Sequence, residues 1–200
     1  YFSNLEGAAR TIRSATPVVL AGIVTSGLIL FLWKGYGRAL GVIMLALSIF
    51  VWSKSDRPMI LISEDGRMFG LMTEFGRVVS KPRGSGYAVR IWLENDGDVA
   101  SQNEAAMRAG VNGDKHSFVA ALSDEWRIYL YLGDDASVAT ANCVDNTILV
   151  TPKLFDVTGS CMKIDKSYLR KSGAISVNMV DGIPLFEHSR DTARNRPWGY

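Results

Sequence analysis

Between Pro17 and Trp33 the chain carries no charged residue (PVVLAGIVTSGLILFLW), and after Lys34-Gly-Tyr-Gly-Arg38 a second uncharged run follows, Ala39 to Trp52 (ALGVIMLALSIFVW). These two runs, 17 and 14 residues long, limit the possible folds more than any other feature. A helix that crosses a bilayer needs about 20 mainly apolar residues, with roughly 17 as the lower limit. The first run meets that limit. The second meets it once Tyr36, Gly37 and Ser53 are included and Arg38 reaches out to the headgroups. The competing reading, two buried helices of a water-soluble core, calls for a polar stripe on each helix, and neither run has one. Trp33, Tyr36 and Trp52 stand at the run ends, where an interfacial aromatic belt would place them.

The short connector makes the two helices antiparallel neighbours, with Gly22, Ser26 and Gly41 allowing close backbone approach. Two runs, and no small-residue cleavage pattern after the first, argue against a cleaved signal peptide. The chain begins with Tyr rather than Met, and the expectation is a fragment with a larger membrane protein upstream. Residues 1–16 carry Leu5, Ala8, Ala9 and Ile12 at helical spacing, which predicts an amphipathic or interfacial segment. The expected organisation is that segment, two transmembrane helices over 17–53, a soluble α/β domain over 56–188 and a polar basic tail over 189–200.

Charge divides the chain in the same place. Residues 1–55 hold five Lys/Arg and one acid, net +4, whereas residues 56–200 hold 17 Lys/Arg and 19 acids, net −2. The soluble part is therefore not a basic nucleic-acid binder as a whole. It is uneven within: residues 94–145 carry ten acids and three bases, and residues 146–200 eight bases and five acids.

After Pro58, three short apolar segments (59–63, 68–72, 77–81) are separated by EDGR and TEFG, and Asp65-Gly66 marks a hairpin. They predict a three-stranded meander. YAVRIWLEN (87–95) predicts a helix with Tyr87, Ala88, Ile91 and Trp92 on one face, and Gln102 to Ala109 a second, ending at Gly110. Strands are expected over 117–122 and 126–132. In the latter, Ile128, Leu130 and Leu132 alternate with Arg127, Tyr129 and Tyr131. Asp134 or Asp135 can cap a short helix through Ala141. The strands TILVT and MKI follow, then a helix KSYLRKS capped by Asp165 and stopped by Gly173. AISVNMV turns through Asp181-Gly182 into IPLFEH. The fold class is a transmembrane helical hairpin followed by a mixed α/β domain.

Catalytic signals are sparse. His116 and His188 are isolated, and no His-x-His, Cys-x-x-Cys or Walker A sequence occurs. The carboxylate pairs Glu94/Asp96/Asp98, Asp124/Glu125 and Asp134/Asp135 suit loops and caps. No catalytic, cofactor or metal residue is expected. Lys153, Lys163, Lys166, Arg170 and Lys171 cluster in one segment. With Arg190, Arg194 and Arg196 they could neutralise phosphates, while a solvated helix face and a flexible tail explain the same charges. Cys143 and Cys161, the two cysteines, are open to four readings: metal ligands, a redox pair, a disulfide, or two small core residues.

The order of blocks PMILISEDGRMFGLMTEFGRVV, WLEN-D-G, Cys-strand-Pro loop-Cys, IDKSYLRKSGAISV and a terminal NRPW resembles the C-terminal end of alphaproteobacterial-type ComEC family proteins, inner-membrane channels for DNA uptake in natural transformation. The resemblance covers nearly the whole chain. It implies an upstream membrane domain of the same protein, contact with membrane lipid and with single-stranded DNA, and a shortened metallo-β-lactamase-like end. The metal-binding version of that end carries a His-x-His-x-Asp-His block. Here the loop after ILV holds Thr151, Pro152 and Lys153, so a nuclease role does not transfer. The resemblance places the soluble domain in the periplasm, and there it implies a Cys143–Cys161 disulfide. Against this, Arg10, Arg13, Lys54 and Arg57 outnumber Lys34 and Arg38, which by the positive-inside rule favours a cytoplasmic domain. Two further readings stand beside it: a degenerate membrane-anchored metallo-hydrolase or nuclease, and a membrane-anchored interaction domain.

Overall fold

The computed structural model describes residues 14–54 and 57–194. The amphipathic segment expected over 1–16 therefore lies, apart from its last three residues, outside the described residues, as does the end of the tail from residue 195. The chain divides into two compact units, with the boundary between Arg57 and Pro58.

The first unit is a helical hairpin. Helix α1 spans Pro17–Leu32, a 3-10 turn covers Gly35–Gly37, and α2 spans Arg38–Ser53. Pro17 opens α1 at a position where its missing N–H is not needed. The lengths reverse the sequence expectation. The stretch Gly35–Ser53, with the 3-10 turn leading into α2, is 19 residues long and apolar enough to cross a membrane, whereas α1 is 16 residues. The cause is local: Trp33 and Lys34 are extended, so the first helix stops early and the turn continues into the second.

The helices meet through small residues. Val19, Ser26 and Gly41 are buried. A Cβ on Gly41 would lie 2.9 Å from Leu30 Cγ, and one on Gly22 would collide with the Ser48 hydroxyl. Ser26 and Ser48 donate their hydroxyls to carbonyls of their own helices, Ile23 and Met44, each at 2.8 Å. Ser26 and Ser48 thus contribute to the seam by shape, with their hydroxyls turned back onto their own helices. Most large apolar side chains, among them Leu20, Val24, Leu28, Leu47 and Phe50, point outward.

The second unit is a mixed α/β domain with two five-stranded sheets. The first sheet contains β1 (Ile60–Ile62), β2 (Phe69–Thr73), β3 (Gly76–Val79), β9 (Ile175–Val180) and β10 (Ile183–His188), in the order β10-β9-β1-β2-β3. All of its pairs are antiparallel. The second contains β4 (Asn112–Gly113), β5 (Ser117–Ala121), β6 (Arg127–Tyr131), β7 (Thr147–Val150) and β8 (Met162–Ile164), in sequence order. There β4-β5-β6 pair antiparallel and β6-β7-β8 parallel.

The sheets face each other across one core. Ile60, Ile62, Phe69 and Val177 from the first meet Ile128, Leu130, Ile148 and Val150 from the second. The alternation expected in β6 is realised: Ile128 and Leu130 enter this core while Tyr131 points to the opposite face. Helices cover both outer faces. On the first sheet, α3 (Gly86–Asp96) and α4 (Gln102–Ala106) bury Val89, Trp92, Leu93 and Ala105 against Met68 and Val79. The buried face of α3 is thus rotated from the expected one. Tyr87 is exposed because the helix turns Val89 and Leu93 inward beside Trp92. Helix α4 is shorter than the expected 102–109, and a turn at Met107 precedes Gly110. On the second sheet, α5 (Ala136–Ala141) contributes Ala139, and Cys143 follows it, beside Tyr131 and Leu149. Helices α6 (Lys166–Ser172) and α7 (Ser189–Arg194) complete the unit, so the start of the expected tail is helical.

A buried ion pair locks α3 to the first sheet. Arg77 is fully buried, and its Nε donates to Asp96 Oδ2 at 2.5 Å. Its Nη1 and Nη2 donate to the carbonyls of Gly70 and Pro58 at 3.3 and 3.2 Å. Arg108 repeats the device, donating to Asp98 Oδ2 at 2.5 Å and to the Arg77 carbonyl at 2.8 Å. Where the sequence suggests loop and cap roles for the carboxylates of the WLEN-D-G block, Asp96 and Asp98 instead hold ion pairs with Arg77 and Arg108.

Candidate functional site: a basic cleft

The Asp65-Gly66 turn between β1 and β2 is held by two sequence-local contacts and one from a distant loop. Asp65 Oδ1 accepts from the Ser63 hydroxyl at 2.5 Å and from the Arg67 N–H at 3.0 Å, and Oδ2 accepts from the Ser85 hydroxyl at 2.8 Å. Partial burial pushes the carboxyl up, but these three hydrogen bonds outweigh it and its pKa ends below the ordinary 3.8. Gly66 has a φ of +64°, and a Cβ there would come within 2.7 Å of Leu169 and 3.4 Å of Pro152 Cα. The turn therefore seats directly on α6 and on the loop after β7, a position only glycine can fill.

Helix α6 supplies the second wall. Asp165 caps it by accepting from the Tyr168 N–H at 2.9 Å. Lys166 and Arg170, four residues apart, share one face, while Leu169 is buried on another. Arg190, at the start of α7, closes the third side. It donates through Nη2 to Glu64 Oε1 at 2.8 Å and through Nη1 to the Arg170 carbonyl.

Together Glu64, Asp65, Arg67, Pro152, Lys166, Arg170 and Arg190 line a cleft of about 380 Å³. Four cations face two carboxylates. Glu64 is engaged by Arg190 and Asp65 by its turn, which leaves Lys166 and Arg170 without an ion pair among the described residues. This arrangement suits an anionic group bearing several oxygen acceptors.

The cleft thus holds two of the five residues expected to contact phosphate, Lys166 and Arg170. Lys153 is paired with Asp134 instead. Lys163 lies 3.3 Å from Asp165 Oδ2 and donates to the Phe155 carbonyl at 2.8 Å. Lys171 is exposed outside the cleft. Arg190 joins as anticipated, the Arg194 side chain and Arg196 lie outside the described residues, and Arg67 is an addition. Its signal in the sequence is its place one residue past the Asp65-Gly66 turn, but nothing local says what lies opposite.

Cys143 and Cys161 are joined in a disulfide. It ties the end of α5 to the far end of the loop that connects β7 to β8. Parallel neighbours usually need a helical crossover. Here a coil makes the connection, and Phe155, Val157 and Cys161 pack beside Tyr131 and Leu149. At Gly159 a Cβ would come within 2.8 Å of the Cys143 sulfur, so a glycine lets the loop pass.

His188 lies 3.0 Å from the Tyr168 hydroxyl through Nε2 and 3.1 Å from Asp191 Oδ2 through Nδ1. Among the described residues, no group of three or more His, Cys, Asp or Glu side chains is placed to hold a metal. No family model, curated protein or solved structure matches the chain.

Proposed function

We propose that this chain is the C-terminal part of a membrane channel for single-stranded DNA uptake, of the ComEC type, with a non-catalytic domain that handles the polyanion at the channel mouth. The observation that carries the reading is the cleft in which Lys166 and Arg170 stand beside Arg67 and Arg190. A phosphodiester strand presents the repeated oxygen acceptors that such a cleft fits. The helical hairpin supports membrane residence, because its apolar side chains face outward and one helical stretch has the required length. Two facing sheets with helices on both outer faces support kinship with metallo-β-lactamase-like domains. In that kinship the loop after β7 borders the cleft with Pro152, where the hydrolases carry histidines. We therefore infer binding rather than hydrolysis. The disulfide supports a periplasmic position for the domain at the bacterial inner membrane.

The test is binding of a labelled single-stranded oligonucleotide to the full chain in lipid nanodiscs across a salt series. Replacing Lys166→Glu and Arg170→Glu together should weaken binding and reduce the salt slope by roughly 1.4, as expected for two lost phosphate contacts on a single strand. Equal affinity and slope in the double variant would refute the assignment of the cleft.

A further inference from the structure

We infer that the end of the first sheet where β1 begins rests on the lipid bilayer, through the tips of its two flanking hairpins. The inference rests on the membrane reading of the helical hairpin given above.

β1 is the central strand of that sheet, with β9 on one side and β2 on the other. Its first residue, Ile60, pairs with Val177 and with Leu71. Both neighbours continue past this point. The β9–β10 hairpin runs on through Val180↔Ile183 before turning at Asp181-Gly182. The β2–β3 hairpin runs on through Thr73↔Gly76 before turning at Glu74-Phe75. Val180 thus stands about 10 Å beyond the start of β1, and the two turns flank that start.

Both tips expose apolar side chains: Phe75 is 71% exposed, Ile183 68% and Val180 51%. At one sheet end two separate turns repeat the same choice. Exposed apolar residues scattered singly are ordinary, whereas a group of them at one end of a sheet marks an interaction surface.

Chain connectivity identifies the occupant. Only Lys54 to Met59 lie between Ser53, the last residue of α2, and Ile60. Fully extended, the seven steps from Ser53 to Ile60 reach no more than about 25 Å. The end of the sheet that carries the apolar tips is therefore also the end tethered closely to a helix of bilayer-spanning length. The cations of the cleft belong to the opposite end, where β1 leaves into the Ser63–Arg67 turn. The tips themselves carry acids, Glu74 and Asp181, rather than lysines or arginines. The contact is therefore hydrophobic, and needs neither anionic lipid nor low salt.

The experiment uses the full chain in phosphatidylcholine vesicles. Single variants Ile183→Cys and Phe75→Cys are labelled with an environment-sensitive fluorophore without reductant, which leaves the Cys143–Cys161 bond intact. Leu154→Cys is the control, as exposed at 67% and two residues beyond the cleft-lining Pro152. Leu47→Cys on α2 reports the hairpin. Vesicles with brominated acyl chains should quench most of the emission at positions 183, 75 and 47 and leave position 154 unchanged, at low and high salt alike. Quenching at 47 with none at 183 and 75 overturns the inference and leaves the membrane reading standing. No quenching at 47 overturns both.

Discussion

The two units of this chain invert each other. In the helical hairpin the buried positions are Val19, Ser26 and Gly41, and most bulky apolar side chains face out. In the α/β unit Ile60, Phe69, Leu130 and Ile148 face in, and even a fully buried Arg77 is accepted because Asp96 and two carbonyls meet its guanidinium. One set of twenty residue types follows opposite rules within a single chain, and on the membrane reading proposed above the difference lies in the medium. In water the area removed from solvent drives packing, whereas between lipid-embedded helices close fit must do so.

The sharpest way to break this comparison is to leave a charge buried in the α/β unit. Asp96→Ala strands Arg77 and should cost about 3–5 kcal/mol, read from denaturant unfolding of the near-UV signal. A loss within experimental error would show that the pair is not what holds α3. The same residue change in both units is the next test. Leu130→Ala should cost about 2–5 kcal/mol, while Leu47→Ala on the outward face of α2 should stay within about 0.5 kcal/mol in lipid nanodiscs. Equal costs would mean that the hairpin packs like a soluble core.

The disulfide comes third. Cys143→Ala with Cys161→Ala should cost on the order of 3 kcal/mol on the chain-entropy account of a loop of this length. Labelling of intact cells with a membrane-impermeant maleimide should require prior reduction, and labelling without reductant would contradict the pairing. The smallest effect concerns Asp65. Its folded carboxyl titrates below the ordinary 3.8, so the turn gains stability that is fully present above that pH and lost as the pH falls through the folded value. Asp65→Asn should flatten the acid limb of the unfolding curve below pH 3.8. An unchanged limb would show that the carboxylate contributes nothing there.

Local chemistry made much of the α/β unit readable from sequence. The Asp65-Gly66 and Asp181-Gly182 turns, the Asp165 cap and the alternation in β6 each depend on neighbours a few residues away, and each stands where the pattern placed it. The choice between Asp134 and Asp135 as cap could not be made locally. Asp135 caps α5, and Asp134 pairs instead with Lys153, nineteen positions along the chain. Partners distant in sequence explain the rest. Arg77 and Asp96 look like two surface charges until β3 and α3 meet. The cleft unites residues from four segments, so the Lys/Arg cluster in sequence predicted Lys166 and Arg170 but could not exclude Lys153 or include Arg67. The short β4 and α7 carry no periodic signal and were legible only once their neighbours were placed.

The placement of β1 has a mechanical consequence. A pull on its leading residue along the strand axis meets a strand that is hydrogen-bonded on both sides. Such a load must shear two ladders at once instead of peeling one open rung by rung. A domain tethered through its middle strand is therefore well anchored against tension arriving from its N-terminal side.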